Sequence, residues 1–241
     1  MAAGVLIFEG MRVGVLDGDL RVEVDESGEP KGTLILSTAY NVIPLWLRIA
    51  RDQWNEAKRA SESVRTNLSS DDGEVNRELL VGELEASLQV FVACGIALDA
   101  LYDQVRPFTK VGAQQIKAWK KNRTARAARI VEVLRTAYRL VNDHTAAFRK
   151  NISGIISFRD NAVHPSLELR QTCIRPDIPV GVDWKFSAYK FTNADVCFQR
   201  TMQMILYLYD KTSGIKDLDE QMTNLIKALE QLKILNRKAA C

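Results

Sequence analysis

Residues 88–98 have the sequence LQVFVACGIAL, which is the longest apolar segment of the chain. Glu85 and Asp99 bound this segment, so it has about half of the roughly 20 apolar residues that a membrane-spanning helix needs. Around it, apolar side chains recur at spacings of three, four or seven, which is the period of one helix face. They are Leu80, Leu84, Leu88, Phe91, Leu98 and Tyr102. We therefore predict a long, buried core helix that starts near Glu74 and ends before Pro107.

Helical periodicity also marks most of the chain after residue 40. It predicts further helices that begin near residue 41, cover about 124–138 and 143–163, begin again near residue 192 and cover about 215–232. Between the helix expected over 143–163 and the one that begins near residue 192, residues 182–192 carry an alternating aromatic pattern that is typical of an edge strand or an ordered loop. Such aromatic rings could stack on bases, but a half-buried strand explains the alternation and is the interpretation that we prefer.

The N-terminal residues 4–37 instead alternate apolar and polar side chains and carry several glycines, a pattern typical of two or three antiparallel strands. A lone hairpin is marginally stable in water, so these strands are expected to pack on the helices or on a second subunit. The predicted fold is mainly α. It consists of a helical bundle of residues 41–241 with a small N-terminal antiparallel β appendage of residues 1–40.

The composition of the chain limits the classes of function that are expected. The chain has 241 residues, 46% of them hydrophobic and 26% charged, with a net charge of only +3, which is typical of an ordinary globular protein. Its four cysteines are scattered without zinc-site spacing and no signal-peptide pattern precedes Glu9, so we expect a reducing cytoplasm, no membrane, no metal and no cofactor. The motifs GxxxxGK[ST], GxGxxG, HExxH and GxSxG are absent, which leaves nucleotide triphosphatase, dehydrogenase, zinc protease and serine hydrolase functions without support.

Positive charge is nevertheless concentrated in one segment. Between Asp103 and Glu132 there is no acidic residue but there are eight lysines and arginines. A local cluster of cations can bind the phosphates of RNA. The predicted RNA-binding residues are Lys117, Lys120, Lys121, Arg123 and Arg126. Trp119 lies among them, where it either stacks on a base or turns into the core, and we prefer the core.

Residues 158–165, with the sequence FRDNAVHP, combine an arginine, a carboxylate and a histidine. Arginine holds phosphate with a permanently charged planar fork, histidine moves protons near neutral pH, and an acid can orient either. On a regular helix Arg159 and His164 lie about 140° apart around the axis and about 7.5 Å apart along it. Pro165 disfavours helical geometry at His164, so the helix is expected to end there. The only other histidine, His144, lies at a predicted helix start and is expected to be structural or exposed to solvent.

Arg159, the adjacent polar Asp160 and His164 at the end of an apolar helix resemble the R(x4)H signature of the HEPN family (higher eukaryotes and prokaryotes nucleotide-binding domains). The face from Cys94 to Tyr102 is also similar to the first bundle helix of that family. This resemblance implies an all-α bundle that dimerises, often as a metal-independent ribonuclease whose site is shared by two subunits. Arg159, Asp160 and His164 would then be the catalytic residues.

The resulting hypothesis is a metal-independent RNA endonuclease, acting as a toxin or antiviral effector, with RNA, a second copy of the chain and a protein antitoxin or regulator as partners. The ribose 2′-hydroxyl would attack the adjacent phosphate, while His164 transfers the proton and Arg159 stabilises the developing charge. The alternative is a non-catalytic dimeric helical module that binds a nucleotide, RNA or protein. In that case Arg159 and Asp160 would form interface salt bridges.

Overall fold

The computed structural model describes residues 6–7, 10–24, 27–68, 72–164, 168–178 and 181–236. The chain divides into two compact units, Met1–Val42 and Ile43–Cys241, here called the N-terminal unit and the helical unit. Helices make up 67% of the described residues, which form eight α-helices, a 3-10 turn and a few small antiparallel strands. The prediction of a mainly α fold with a small β appendage is confirmed.

The N-terminal unit contains two nested antiparallel pairs of strands. Strands β1 (Met11–Gly14) and β4 (Ser37–Tyr40) pair with Met11 opposite Tyr40, and β2 (Leu20–Val24) and β3 (Pro30–Leu34) pair with Leu20 opposite Leu34. None of its described residues is buried within the chain. The apolar side chains Leu20, Val22 and Val24, for example, are 62%, 64% and 68% exposed. The expectation that these strands need a packing partner therefore stays a prediction.

The helical unit begins with two long helices and continues with shorter ones. The helices are α1 (Ile43–Asn67), α2 (Gly73–Val105), α3 (Ala113–Lys121), α4 (Arg126–Tyr138), α5 (Asn142–Val163), α6 (Trp184–Ala188), α7 (Phe191–Lys211) and α8 (Lys216–Gln231). A 3-10 turn (Arg106–Phe108) follows α2, and two-residue strands β5 (Cys173–Ile174) and β6 (Gly181–Val182) pair before α6.

Helix α2 is the centre of the helical unit. It packs against α1, α4, α5 and α7, and its buried face includes Val90, Phe91, Cys94, Leu98 and Leu101. By length and composition this helix could also cross a membrane, but 44% of its most apolar window is buried inside the protein. The apolar segment that the sequence assigns to a core helix is therefore packed in the core, as predicted. The predicted start near Glu74 and end before Pro107 agree with the observed bounds.

Two segments, the basic residues 103–132 and the aromatic residues 182–192, have a structure that the periodicity of their sequence did not predict. Residues 103–132 contain a separate short helix, α3, that anchors itself by burying Trp119 at 7% exposure, so the core position preferred for this ring is confirmed. The strand predicted over 182–192 is wrong beyond Val182, because Asp183 caps α6 by accepting a hydrogen bond from the Lys185 N–H at 2.9 Å. Because this segment forms a short capped helix, its aromatic side chains pack against the core and do not alternate between the two faces of a strand.

A buried ion-pair network holds the segment that follows α5. Arg175 and Glu83 are both 1% exposed, and Arg175 NH1 donates to Glu83 Oε2 at 2.8 Å and to the Phe186 carbonyl at 2.9 Å. The other oxygen of Glu83 accepts the Phe191 N–H at 2.8 Å. Asp177 completes the network by accepting hydrogen bonds from Nε at 3.1 Å and NH2 at 2.6 Å of Arg175. The network thus ties α2 to the segment before α6 and to the start of α7.

Acid is expected to weaken this network. The hydrogen bond from Arg175 lowers the pKa of Asp177 below its ordinary value. A carboxyl whose pKa is lower in the folded chain than in the unfolded chain stabilises the fold above its unfolded pKa, and that stabilisation disappears as the pH falls from about 5 through the lowered pKa. We expect urea midpoints measured from pH 7 to pH 3 to fall more steeply for the native chain than for Asp177→Asn. Parallel pH profiles for the two proteins would contradict this.

Candidate functional site

Helix α5 carries the predicted catalytic residues and is held firmly just before them. Its buried residues Ile152, Ile155 and Ile156 face the core. The ring of Phe158 stacks on that of Phe91, with centroids 4.7 Å apart, and its carbonyl accepts a hydrogen bond from the Tyr189 hydroxyl at 2.8 Å. Phe158 therefore fixes the backbone at the position that precedes Arg159.

The Arg159 guanidinium is largely enclosed, since its side chain is only 15% exposed. Its Nε and NH2 donate to Oδ1 of Asp160 at 3.0 and 2.7 Å, and its NH1 donates to Oδ2 of Asp99 on α2. Burial acts to lower the pKa of Arg159, but the hydrogen bonds and charges of Asp160 and Asp99 outweigh it and raise that pKa. The group is therefore a permanent cation, and two of its five N–H groups are free of described partners.

Gly95 makes the close approach of Arg159 to α2 possible. A Cβ atom at position 95 would lie 2.6 Å from Cδ and 3.0 Å from Cβ of Arg159. Any larger residue would displace the aliphatic stem of the arginine. The close contact that this glycine allows is therefore with the predicted catalytic arginine.

Asp99 also binds one of the predicted RNA-binding residues. Its Oδ1 accepts a hydrogen bond from Nε of Arg126 at 2.6 Å, while its Oδ2 accepts from Arg159. The guanidinium of Arg126 lies 4.1 Å from the centroid of the Tyr102 ring, within the range of a cation–π interaction. One carboxylate thus joins two cations that the sequence had assigned to separate roles. Asp99 was missed at that stage, and the available signal was its position one turn after Gly95 on the same helix.

His164 follows the last residue of helix α5, five positions after Arg159. The helix ends at Val163, and His164 has the non-helical angles φ −124 and ψ 64, with its backbone N–H donating to the Asp160 carbonyl at 2.9 Å. The predicted end of the helix is confirmed, although Pro165 itself lies outside the described residues. The imidazole is exposed, and no hydrogen bond or ion pair joins it to Arg159 among the residues that the structure describes. His144, the other histidine, stacks on Tyr207 with ring centroids 4.9 Å apart.

The remaining predicted RNA-binding residues form an exposed surface beside Arg126. Lys120 and Lys121 lie three and four positions after Lys117 on α3, so the three lysines share one side of that helix. They and Arg123 are exposed, and none of the four takes part in an ion pair within the described part of the chain. Arg126 begins the next helix at the edge of this surface, with a side chain that is 31% exposed.

Neither of two clefts that the described residues form is lined by a predicted site residue. A cleft of about 520 Å³ lies between α1, α7 and the residues after α8, lined by side chains such as Trp54, Met202 and Leu235, and includes no predicted site residue. In the described ranges, no group of three or more His, Cys, Asp or Glu side chains is placed to hold a metal ion. The candidate site is a cluster of charged side chains in which Arg159, Asp99 and Arg126 are partly buried, while the lysines of α3 are exposed.

Comparisons with models of protein families, with curated proteins and with solved structures gave no match. The HEPN resemblance therefore depends on the R(x4)H residues and the helix face already described.

Proposed function

We propose that this protein is a metal-independent RNA endonuclease with a site composed of two copies of the chain. The observation that carries this proposal is the arrangement of Arg159. Two carboxylates from different helices, Asp99 and Asp160, hold its guanidinium in one orientation beside Arg126. A preorganised cation is what the developing negative charge of a phosphate transition state requires.

In the proposed reaction, the ribose 2′-hydroxyl attacks the neighbouring phosphorus and the 5′-oxygen of the next nucleotide leaves. His164 takes or supplies the proton, Arg159 stabilises the charge on the non-bridging oxygens with its free N–H groups, and Asp160 orients Arg159. The products are a 2′,3′-cyclic phosphate and a 5′-hydroxyl. Because the nucleophile is a 2′-hydroxyl, DNA is not a substrate.

A second copy of the chain supplies what one copy lacks. The reaction needs both a proton acceptor and a proton donor. Each chain supplies one exposed His164, directly after α5, the helix that carries Arg159 and Asp160. A two-fold interface repeats the same surface on both partners. A dimer formed through the ends of the two α5 helices would therefore present two imidazoles and two guanidinium groups to one RNA linkage.

One observation favours a second candidate, a non-catalytic dimeric module that binds a nucleotide, RNA or protein. Arg159 already forms ion pairs with two carboxylates of its own chain. In such a module these pairs stabilise the helix contact, and the exposed cations of α3 bind the partner. The two candidates differ in whether RNA is cut.

The deciding experiment incubates the purified full chain with mixed RNA in EDTA and analyses the ends of the products. We expect fragments that carry cyclic phosphate and 5′-hydroxyl ends, no cleavage of DNA with the same sequence, and a dimer by light scattering. A folded dimer that binds RNA and leaves it intact would overturn the nuclease proposal in favour of the binding module.

The two histidines provide a matched pair of variants. His164→Ala is expected to lower the cleavage rate by about 10²- to 10⁴-fold, because general acid–base catalysis contributes that much. His144→Ala removes a ring that stacks on Tyr207 at the other end of α5 and is expected to leave the rate unchanged. Equal rates for the two variants would exclude His164 from proton transfer.

A further inference from the structure

We infer that Asp99 is a positioning residue that holds Arg126 and Arg159 together as a pair, here called the clamp, which binds the phosphates of an RNA strand. We also infer that Gly95 leaves the space on α2 in which the side chain of Arg159 lies, here called the slot. The inference rests on the proposed function for its catalytic part only. Its RNA-binding part stands independently, because it concerns how the two guanidinium groups are held.

The carboxylate of Asp99 is divided between the two arginines. Oδ1 accepts from Nε of Arg126 and Oδ2 from NH1 of Arg159. These residues come from α4, α5 and α2, so a single side chain links three helices. Two guanidinium groups repel each other, and a shared carboxylate between them removes that repulsion and fixes their separation.

Arg126 keeps most of its donors available for a phosphate. Its only hydrogen bond to a described residue is made through Nε, and its NH2 lies 3.8 Å from Oδ2 of Asp103. Its plane is held over the Tyr102 ring at 4.1 Å, and Tyr102 is itself 5% exposed. The terminal N–H groups of a guanidinium held at Nε suit bidentate contact with phosphate oxygens.

The location of the clamp connects the exposed cations to the proposed catalytic arginine. Arg126 follows the surface formed by Lys117, Lys120, Lys121 and Arg123 in the chain, while Arg159 lies on the helix that ends at His164. We place an RNA backbone along the cations of α3 and then along Arg126 and Arg159, which Asp99 holds together. Arg126 then binds a phosphate that neighbours the one to be cleaved.

The absence of a side chain at Gly95 determines how closely the stem of Arg159 can approach α2. Because a Cβ at this position would lie 2.6 Å from Cδ and 3.1 Å from Cγ of Arg159, alanine would push the stem of the arginine off α2. Gly82, another glycine of α2, has nothing within 4 Å of the corresponding Cβ position. Gly82→Ala is therefore a control on the same helix for the intrinsic effect of alanine.

The slot is tested by a double-mutant cycle on stability, which does not depend on activity. Gly95→Ala is expected to destabilise the chain, and to destabilise it less in an Arg159→Ala background, where Cγ and Cδ are removed and only the Cβ of residue 159 remains, 3.0 Å from the added methyl group. Gly82→Ala is expected to have the same effect in both backgrounds. If Gly95→Ala changes the free energy of unfolding by the same amount in the native and the Arg159→Ala backgrounds, the inference that Gly95 makes room for Arg159 is wrong.

The clamp is tested by binding and by kinetics. Binding is measured with 2′-O-methyl RNA, which lacks the free hydroxyl needed for cleavage. Arg126→Gln is expected to weaken binding about 10-fold and to reduce the salt slope by about 1. Asp99→Asn is expected to lower kcat about 10- to 100-fold with a smaller effect on KM, since it misplaces Arg159, and Asp99→Glu is expected to restore part of this loss. Glu132→Gln and Arg135→Gln, which each break an exposed ion pair on α4, are the charge-matched controls for Asp99→Asn and Arg126→Gln respectively.

The outcomes separate this inference from the proposed function. If the native chain cleaves RNA while Asp99→Asn cleaves and binds like Glu132→Gln and Arg126→Gln like Arg135→Gln, the clamp is overturned and the nuclease stands. If the native chain does not cleave but binding of 2′-O-methyl RNA falls in Arg126→Gln and Asp99→Asn, the nuclease is overturned and the clamp stands.

Discussion

Arg159→Ala is expected to lower kcat for RNA cleavage by about 10²- to 10³-fold, the effect of removing a preorganised donor to a developing oxyanion. Arg159→Lys is expected to be nearly as inactive. An ammonium group is a point charge with three donors, and it cannot bind Asp99, Asp160 and a phosphate in the fixed geometry of the guanidinium fork. Initial rates in EDTA, with circular dichroism to verify folding, measure this effect.

Arg135→Ala is the matched control, because Arg135 also forms a doubly hydrogen-bonded pair with a carboxylate, Glu132, but on the exposed surface of α4. It is expected to retain the native rate. If Arg159→Lys keeps more than about a tenth of the native activity, charge alone suffices and the role of the fork in stabilising the oxyanion is wrong. If folded Arg159→Ala is fully active, Arg159 is not part of the site.

Glu83→Ala is expected to produce the largest loss of stability, about 3–5 kcal/mol, because it leaves the charge of a buried arginine without its buried partner. Arg175 is 1% exposed and its NH1 donates to Glu83. The change also removes the acceptor of the Phe191 N–H at the start of α7. The free energy of unfolding from urea titration measures the loss, which is a large part of the 5–15 kcal/mol typical of a whole domain.

Glu56→Ala provides the comparison on the surface. Glu56 pairs with Arg59 on α1 in an exposed i,i+3 arrangement, and such pairs contribute about 0–1 kcal/mol. A double variant, Glu83→Leu with Arg175→Met, is expected to be more stable than Glu83→Ala, since it removes the buried guanidinium that Glu83→Ala leaves with Asp177 as its one carboxylate partner. A loss below about 1 kcal/mol for Glu83→Ala would show that the pair does not anchor the segment after α5.

The long helices could be predicted because their signal is periodic. Helix α2 was expected from near Glu74 to before Pro107 and spans Gly73–Val105, while the helix expected over 143–163 spans Asn142–Val163. The short helices α3 and α6 were not predicted as separate elements. Isolated helices of this length are marginal, and these two form where the burial of Trp119 and the cap of Asp183 support them.

The candidate site was only partly visible in the sequence. Arg159, Asp160 and His164 stand close together in the chain, so a local motif could identify them. Asp99 lies 60 positions from Arg159 and 27 from Arg126, and no local pattern joins these three residues. The same holds for Glu83 and Arg175, which are 92 positions apart.

The sequence by itself determined the helical class, the buried character of residues 88–98, the basic segment and the charged motif at the end of α5, because each follows from side-chain type and spacing within one or two helical turns. Only the tertiary structure decided that Asp99 receives both Arg126 and Arg159, that Gly95 makes room for one of them, and that Glu83 pairs with Arg175. Those contacts depend on how helices pack against one another, and packing brings together residues whose separation along the chain carries no periodic signal.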